Sequence, residues 1–141
     1  MLERLEPITM LLLEIEGKKP VQVQDFALVE KTLRSLKSYG PASFAILTKE
    51  DGSYLQVAGG RLTCVVEQRS AGTGKQMRAR YERTKVPYEG SQTLVFGGGK
   101  LEAEPEEILF IEDVILIFKA FWEGSAGTAV IAWRDMPPPS A

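Results

Sequence analysis

The sequence predicts an α+β domain: an antiparallel meander of five or six strands, with an N-terminal amphipathic helix and a C-terminal apolar helix packed on the sheet. Three observations carry this. Apolar residues recur at helical spacing over 25–41 and then switch to period two from Ser43 onward. The period-two segments are separated by short glycine-bearing turns, the mark of strands joined as neighbours. Near the C-terminus, a segment carries apolar residues around more than half of a helix.

Taken in order, "ITMLLLEIEG" (8–17) is an apolar run that turns to alternation at Leu13 and stops at Gly17, which predicts a strand. "DFALVEKTLRSLKSYGP" (25–41) predicts a helix capped by Asp25, with Phe26, Val29, Leu33 and Leu36 on one stripe and Gly40-Pro41 as its end. "SFAILTKE" and "SYLQVAGG" flank Asp51-Gly52, a dipeptide that tolerates positive φ and so marks a hairpin. "RLTCVVEQRS" (61–70) and "QMRARYERT" (76–84) are the next strands. In the latter, Met77, Ala79 and Tyr81 alternate with Gln76, Arg78, Arg80 and Glu82, giving one apolar and one charged, solvated face. "SQTLVFGGG" (91–99) is a further strand, and the acidic "KLEAEPEE" (100–107), broken by Pro105, reads as an edge segment. "ILFI" then leads into a helix from about Glu112 to Trp122, and "TAVIAWRDM" (128–136) alternates weakly as a last strand. Residues 1–136 are expected to form a single domain and 137–141 a disordered proline-rich tail.

Composition narrows the chemistry. The 141 residues carry a formal net charge of −2, which argues against a surface built as a whole to hold nucleic acid or anionic lipid. The single cysteine, Cys64, excludes an internal disulfide and a cysteine zinc site, so a reducing, cytoplasmic setting is expected. No apolar run reaches the roughly 20 residues that span a bilayer, and the first residues lack the pattern of a signal peptide. The sequence has no histidine, which removes Ser-His-Asp and Cys-His activation and the usual general base near neutral pH. No cofactor, metal or catalytic residue is therefore expected.

Four stretches bear on function. "SAGTGKQ" (70–76) has the look of a phosphate loop, but Arg69 stands where the first glycine is required and Gln76 where the magnesium-holding hydroxyl is required. "FGGGK" (96–100) fails similarly, with Leu94 and Leu101 at those positions, so both read as hairpin turns. The acids Glu102, Glu104, Glu106, Glu107, Glu112 and Asp113 fall within twelve residues. They read either as a solvated edge that blocks unwanted strand pairing or as a negative surface for a basic partner. The cations Lys75, Arg78, Arg80, Arg83 and Lys85 suggest a nucleic-acid face, yet Tyr81 points to the other side of the strand and cannot stack beside them. Cys64 reads as a small core residue, and Trp122 and Trp133 as core or hairpin anchors, with Trp133 a binding hot spot if exposed.

The order "LVFGGG…EPEEILFIEDVILIFKAFWEGSAGTAVIAWRD" resembles the immunity proteins of bacterial polymorphic toxin systems, specifically the family commonly paired with deaminase toxins. Its glycine-bearing strand matches Gly97 to Gly99, its proline in an acidic link Pro105, its helix aromatic Phe118 or Phe121, its small-residue turn Gly124 and its closing tryptophan Trp133. "DGSYLQVAGG" (51–60) resembles the family's earlier hairpin, and the likeness covers roughly 43–135. The proline that often precedes the family's tryptophan is missing here. The resemblance implies a non-enzymatic protein that binds and neutralises a cognate toxin domain, with Glu102, Glu104, Glu106, Glu107 and Trp133 as candidate partner-binding residues. The alternative is a small ligand- or nucleic-acid-binding module that uses the basic strand face around Arg78 and Arg80.

Overall fold

The computed structural model describes residues 11–37, 42–60, 63–83, 90–96, 99–125 and 131–136. Seven strands form one sheet in the spatial order β2 (Val21–Val23), β1 (Leu11–Ile15), β3 (Phe44–Thr48), β4 (Tyr54–Gly60), β5 (Thr63–Arg69), β6 (Gln76–Tyr81) and β9 (Ile131–Asp135). Every neighbouring pair is antiparallel. Two further strands, β7 (Gln92–Phe96) and β8 (Gly99–Ala103), pair only with each other. The α+β class and the antiparallel sheet match the sequence expectation, whereas the sheet has seven strands rather than five or six. Val21–Val23 is the unexpected strand, its three residues being too few to display a period, and the 91–99 strand expected in the meander pairs with β8 instead.

One side of the sheet carries both helices. Leu13, Leu47 and Leu55 lie directly opposite one another across β1, β3 and β4, and Ala45, Val57 and Val66 form the next such row through β5. Helix α1 (Phe26–Arg34) lays Val29 and Leu33 on this surface. Helix α2 (Ile111–Glu123) adds Val114, Ile115, Ile117 and Phe118 beside it. Removing one such side chain down to alanine typically costs about 2–5 kcal/mol. Asp25 caps α1 as expected, its carboxylate accepting the Ala27 N–H at 2.9 Å. The helix ends at Arg34, well before Gly40-Pro41, which lies outside the described residues. At that end the Ser35 hydroxyl donates to the Thr32 carbonyl at 2.6 Å, and its N–H reaches the Lys31 and Thr32 carbonyls, so the last turn tightens.

The segment following α1 sits tightly against the end of β4. A side-chain carbon added at Gly60 would lie 2.3 Å from the Leu36 carbonyl oxygen, so only glycine permits that approach. Asp51-Gly52 turns the β3–β4 hairpin as expected, with Lys49 N–H donating to the Ser53 carbonyl at 2.8 Å. The arms β5 and β6 pair only from Glu67 to Arg69 with Gln76 to Arg78 and then diverge. The backbone of Leu109 pairs with Cys64 beside that divergence, through N–H to carbonyl bonds of 3.0 and 2.7 Å. This insertion carries the chain from β8 past the diverging ends of β5 and β6 to α2.

Among the described residues, no helix is long and apolar enough to cross a membrane. Met1 to Met10, Lys85, Gly97, Gly98 and the tail from Pro137 lie outside the described residues.

Candidate partner-binding surface

The sheet side away from the helices is half covered. Over β5, the hairpin β7–β8 packs Leu94 and Leu101 against Val65, together with Ala103, Ile108 and Phe110. Pro105–Glu107 follow β8 as a single 3₁₀ turn lying over β6. Beneath that turn is a row of polar side chains that the register places directly opposite one another. Gln56 on β4 faces Glu67 on β5, Glu67 faces Arg78 on β6, and Arg78 faces Arg134 on β9.

Two arginines side by side on adjacent strands repel unless something negative lies between them. Glu107 supplies it. One of its carboxylate oxygens accepts from Arg134 Nε at 2.6 Å; the other accepts from Arg78 at 3.2 Å and from the Glu104 backbone N–H at 3.0 Å. Arg78 is 4% exposed and Glu107 1% exposed. The Arg78 guanidinium also donates twice to Glu67, at 2.6 and 2.8 Å, and once to the Glu102 carbonyl at 2.8 Å. The second oxygen of Glu67 accepts from the amides of Gln56 and Gln76 at 3.1 and 3.3 Å. Two cations and two anions thus compensate one another, as buried charge requires. Burial alone would raise the Glu107 carboxyl, but the Arg134 bond, the Glu104 N–H and Arg78 together outweigh it and hold the group below its ordinary value.

This overturns two expectations. Arg78 is not on a solvated face, because the 105–107 turn covers it and its donors are consumed within the protein. Glu107 is not part of an exposed acidic edge but the buried anchor of that turn. Glu102, Glu104 and Glu106 face outward as expected, whereas Glu112 and Asp113 are taken up within α2 and its neighbours. From 102 to 107 the chain alternates, with Glu102 and Glu104 exposed and Glu106 half-exposed, while Ala103, Pro105 and Glu107 are buried. Arg80 remains half-exposed and donates to the Tyr81 carbonyl at 3.2 Å, and Lys75 pairs with Asp135 at 3.3 Å.

Beside the hairpin runs a groove of about 200 Å³, bounded by Phe44, Ile46, Ala58, Val65 and Leu101. Trp133 is half-buried on the opposite, helix-bearing side, across from Ala79. It therefore does not share a surface with the acids. Trp122 is half-buried and meets Phe26 edge to face at 5.9 Å.

The N-terminus of α2 is closed by Tyr81, which does point away from Arg78 as the alternation predicts. Its hydroxyl donates to the Asp113 carboxylate and accepts the Phe110 N–H, the latter at 3.0 Å. Burial first, and the bond to Asp113 second, push the phenol well above its ordinary value. Burial likewise pushes the Cys64 thiol up to about 12, which leaves it protonated and unreactive at neutral pH. Arg34 on α1 donates to both oxygens of Glu112 on α2, at 2.6 and 3.1 Å, and to Glu30 at 3.2 Å, so Glu112 joins the helices.

Sequence reasoning missed the charged row because it depends on register. The signal was present: counting outward from the 70–75 turn sets Glu67 opposite Arg78, an acid facing a base across one hairpin. Among the described residues, no group of three or more acidic, histidine or cysteine side chains is arranged to hold a metal ion. Compared with protein-family models and with curated proteins, the chain matches none.

Proposed function

We propose that this chain is an immunity protein that binds a bacterial toxin domain and blocks it, and that the 102–106 segment is part of the contact. One observation carries this reading: Glu102, Glu104 and Glu106 project from a backbone that the buried Glu107 and Arg78, with the exposed Arg134, fasten to the sheet. A surface fixed in advance loses little freedom on binding, so its charge is available for recognition rather than for ordering itself. The apolar groove beside Leu101 supplies what acids alone lack, a place for a buried anchor. The resemblance of 43–135 to immunity proteins paired with deaminase toxins points the same way. A toxin that acts on nucleic acid needs a basic mouth, and three carboxylates on a rigid frame complement such a mouth without doing chemistry.

The alternative, a nucleic-acid-binding face around Arg78 and Arg80, loses its central cation to the Glu67 and Glu107 pairs. The test is co-expression in bacteria with the C-terminal domain encoded by the adjacent reading frame. The chain should restore growth, and the triple variant Glu102→Lys, Glu104→Lys, Glu106→Lys should lose protection while still unfolding cooperatively above the growth temperature. Growth restored equally by the variant removes the acidic segment from the contact; no protection by the native chain removes the immunity reading.

A further inference from the structure

A second concavity, of about 290 Å³, opens on the helix-bearing side between the C-terminal end of α2 and the ends of β3 through β6 and β9. Its walls combine an apolar body, including Met77, Phe121 and Trp133, with the polar groups of Lys49, Gln68 and Ser70. Gln68 is out of place for a core. It occupies the helix-facing row between Leu55 and Met77, where an apolar residue would pack against α2. Among the described residues, its amide and the Ser70 hydroxyl make no hydrogen bond. Lys49 lies over the Phe121 ring, with Nζ 4.3 Å from the ring centre, and has no ion pair among the described residues. The neighbouring Asp51 carboxylate bonds the Ser53 N–H at 2.8 Å and meets Lys49 only as a lesser, through-space charge. The α2 carbonyls closest to the cleft are already taken: Gly124, in the left-handed conformation, donates to Phe121, and Ser125 donates to Ala120. What remains on offer is the Gln68 amide and the Ser70 hydroxyl, each able to donate and to accept, and two formal positive charges, Lys49 and Arg69, with no carboxylate in the lining.

We propose that this cleft is a binding site for a small aromatic carboxylate, its ring against Trp133 and Met77 and its carboxylate within reach of Lys49. The volume stands at the low end of ligand pockets and suits one ring with a short acidic arm. Sulfur and indole favour a ring, and a lining with two cations and no carboxylate favours the acid over a neutral or cationic head. The site is independent of the toxin contact, which lies on the other side of the sheet.

Trp122 does not line the cleft, so a Trp122→Phe protein leaves Trp133 as the sole tryptophan reporter. Phenylacetate should change Trp133 emission saturably, with a dissociation constant of about 1–10 mM as befits so small a ligand. Phenethyl alcohol and phenethylamine should bind about threefold more weakly or worse. Lys49→Gln should reduce phenylacetate to the level of the alcohol, and Lys49→Arg should keep the preference, which separates lost charge from lost folding. No saturable response to any of the three probes overturns the site. Equal binding of acid and amine, or an unchanged preference in Lys49→Gln, overturns the assignment of its ligand.

Discussion

Replacing Glu107 by glutamine keeps the shape of the side chain and removes its charge from between Arg78 and Arg134. Glu107 accepts bonds from Arg78, Arg134 and the Glu104 N–H. The Arg134 side chain is 44% exposed and regains water, so its bond contributes under about 1 kcal/mol. Arg78 cannot rehydrate at 4% exposure, and a charge-assisted bond to it is worth about 1.5–3 kcal/mol. The glutamine amide must also set one N–H against groups that are themselves donors. The expected loss is about 3 kcal/mol in urea unfolding. For a chain of 141 residues this corresponds to a fall of about 10 °C in the thermal midpoint. In an Arg78→Met background the same substitution should cost under about 1 kcal/mol, because the buried cation it abandons is gone. The acid limb gives an independent reading. The folded carboxyl lies below its ordinary value of 4.5, so its contribution is present above that pH and is lost as pH falls through the folded value. Glu107→Gln should therefore flatten part of the native protein's acid destabilisation. A loss below about 1 kcal/mol, or full additivity with Arg78→Met, would refute the reasoning.

Three further outcomes are expected. Gly60→Ala forces a carbon against the Leu36 carbonyl, 2.3 Å away, and should cost about 1–3 kcal/mol in denaturant titration, whereas Gly72→Ala, in open space, should be nearly silent. Tyr81→Phe should cost about 1–3 kcal/mol by removing the hydroxyl that accepts the Phe110 N–H and donates to Asp113. Because the folded phenol is held above its ordinary value of 10, native stability should fall as pH rises past that value, where the unfolded phenol ionises first, and Tyr81→Phe should weaken this dependence. Cys64 should resist a thiol reagent in the native protein at neutral pH and react at once in denaturant; fast native labelling would contradict its burial.

The parts of the fold legible in the sequence were those set by local chemistry. The Asp25 cap, the Asp51-Gly52 turn and the alternation of Met77, Ala79 and Tyr81 each act within a few residues, and each appears where expected. The α1 terminus falls short of the stronger-looking Gly40-Pro41 signal, at a turn where the Ser35 side chain bonds back to its own helix. The candidate site was harder. Arg78 and Glu107 are charged residues in polar surroundings, and charge in sequence ordinarily means solvent. Only the meeting of four strands with a segment 29 residues downstream turns them inward. Outward Glu102 and Glu104 were legible because period two in an extended segment needs no partner to be read.

The alternation along 102–107 separates holding from presenting. Ala103, Pro105 and Glu107 are buried and keep the segment in place, while Glu102, Glu104 and Glu106 turn outward, Glu104 and Glu106 lending their charge to the exposed Arg134. The outward positions can therefore be rewritten, acid to base or small to large, without reworking the core. A chain built this way can track a changing partner by substituting alternate residues, its folding and its recognition encoded in interleaved but separate letters.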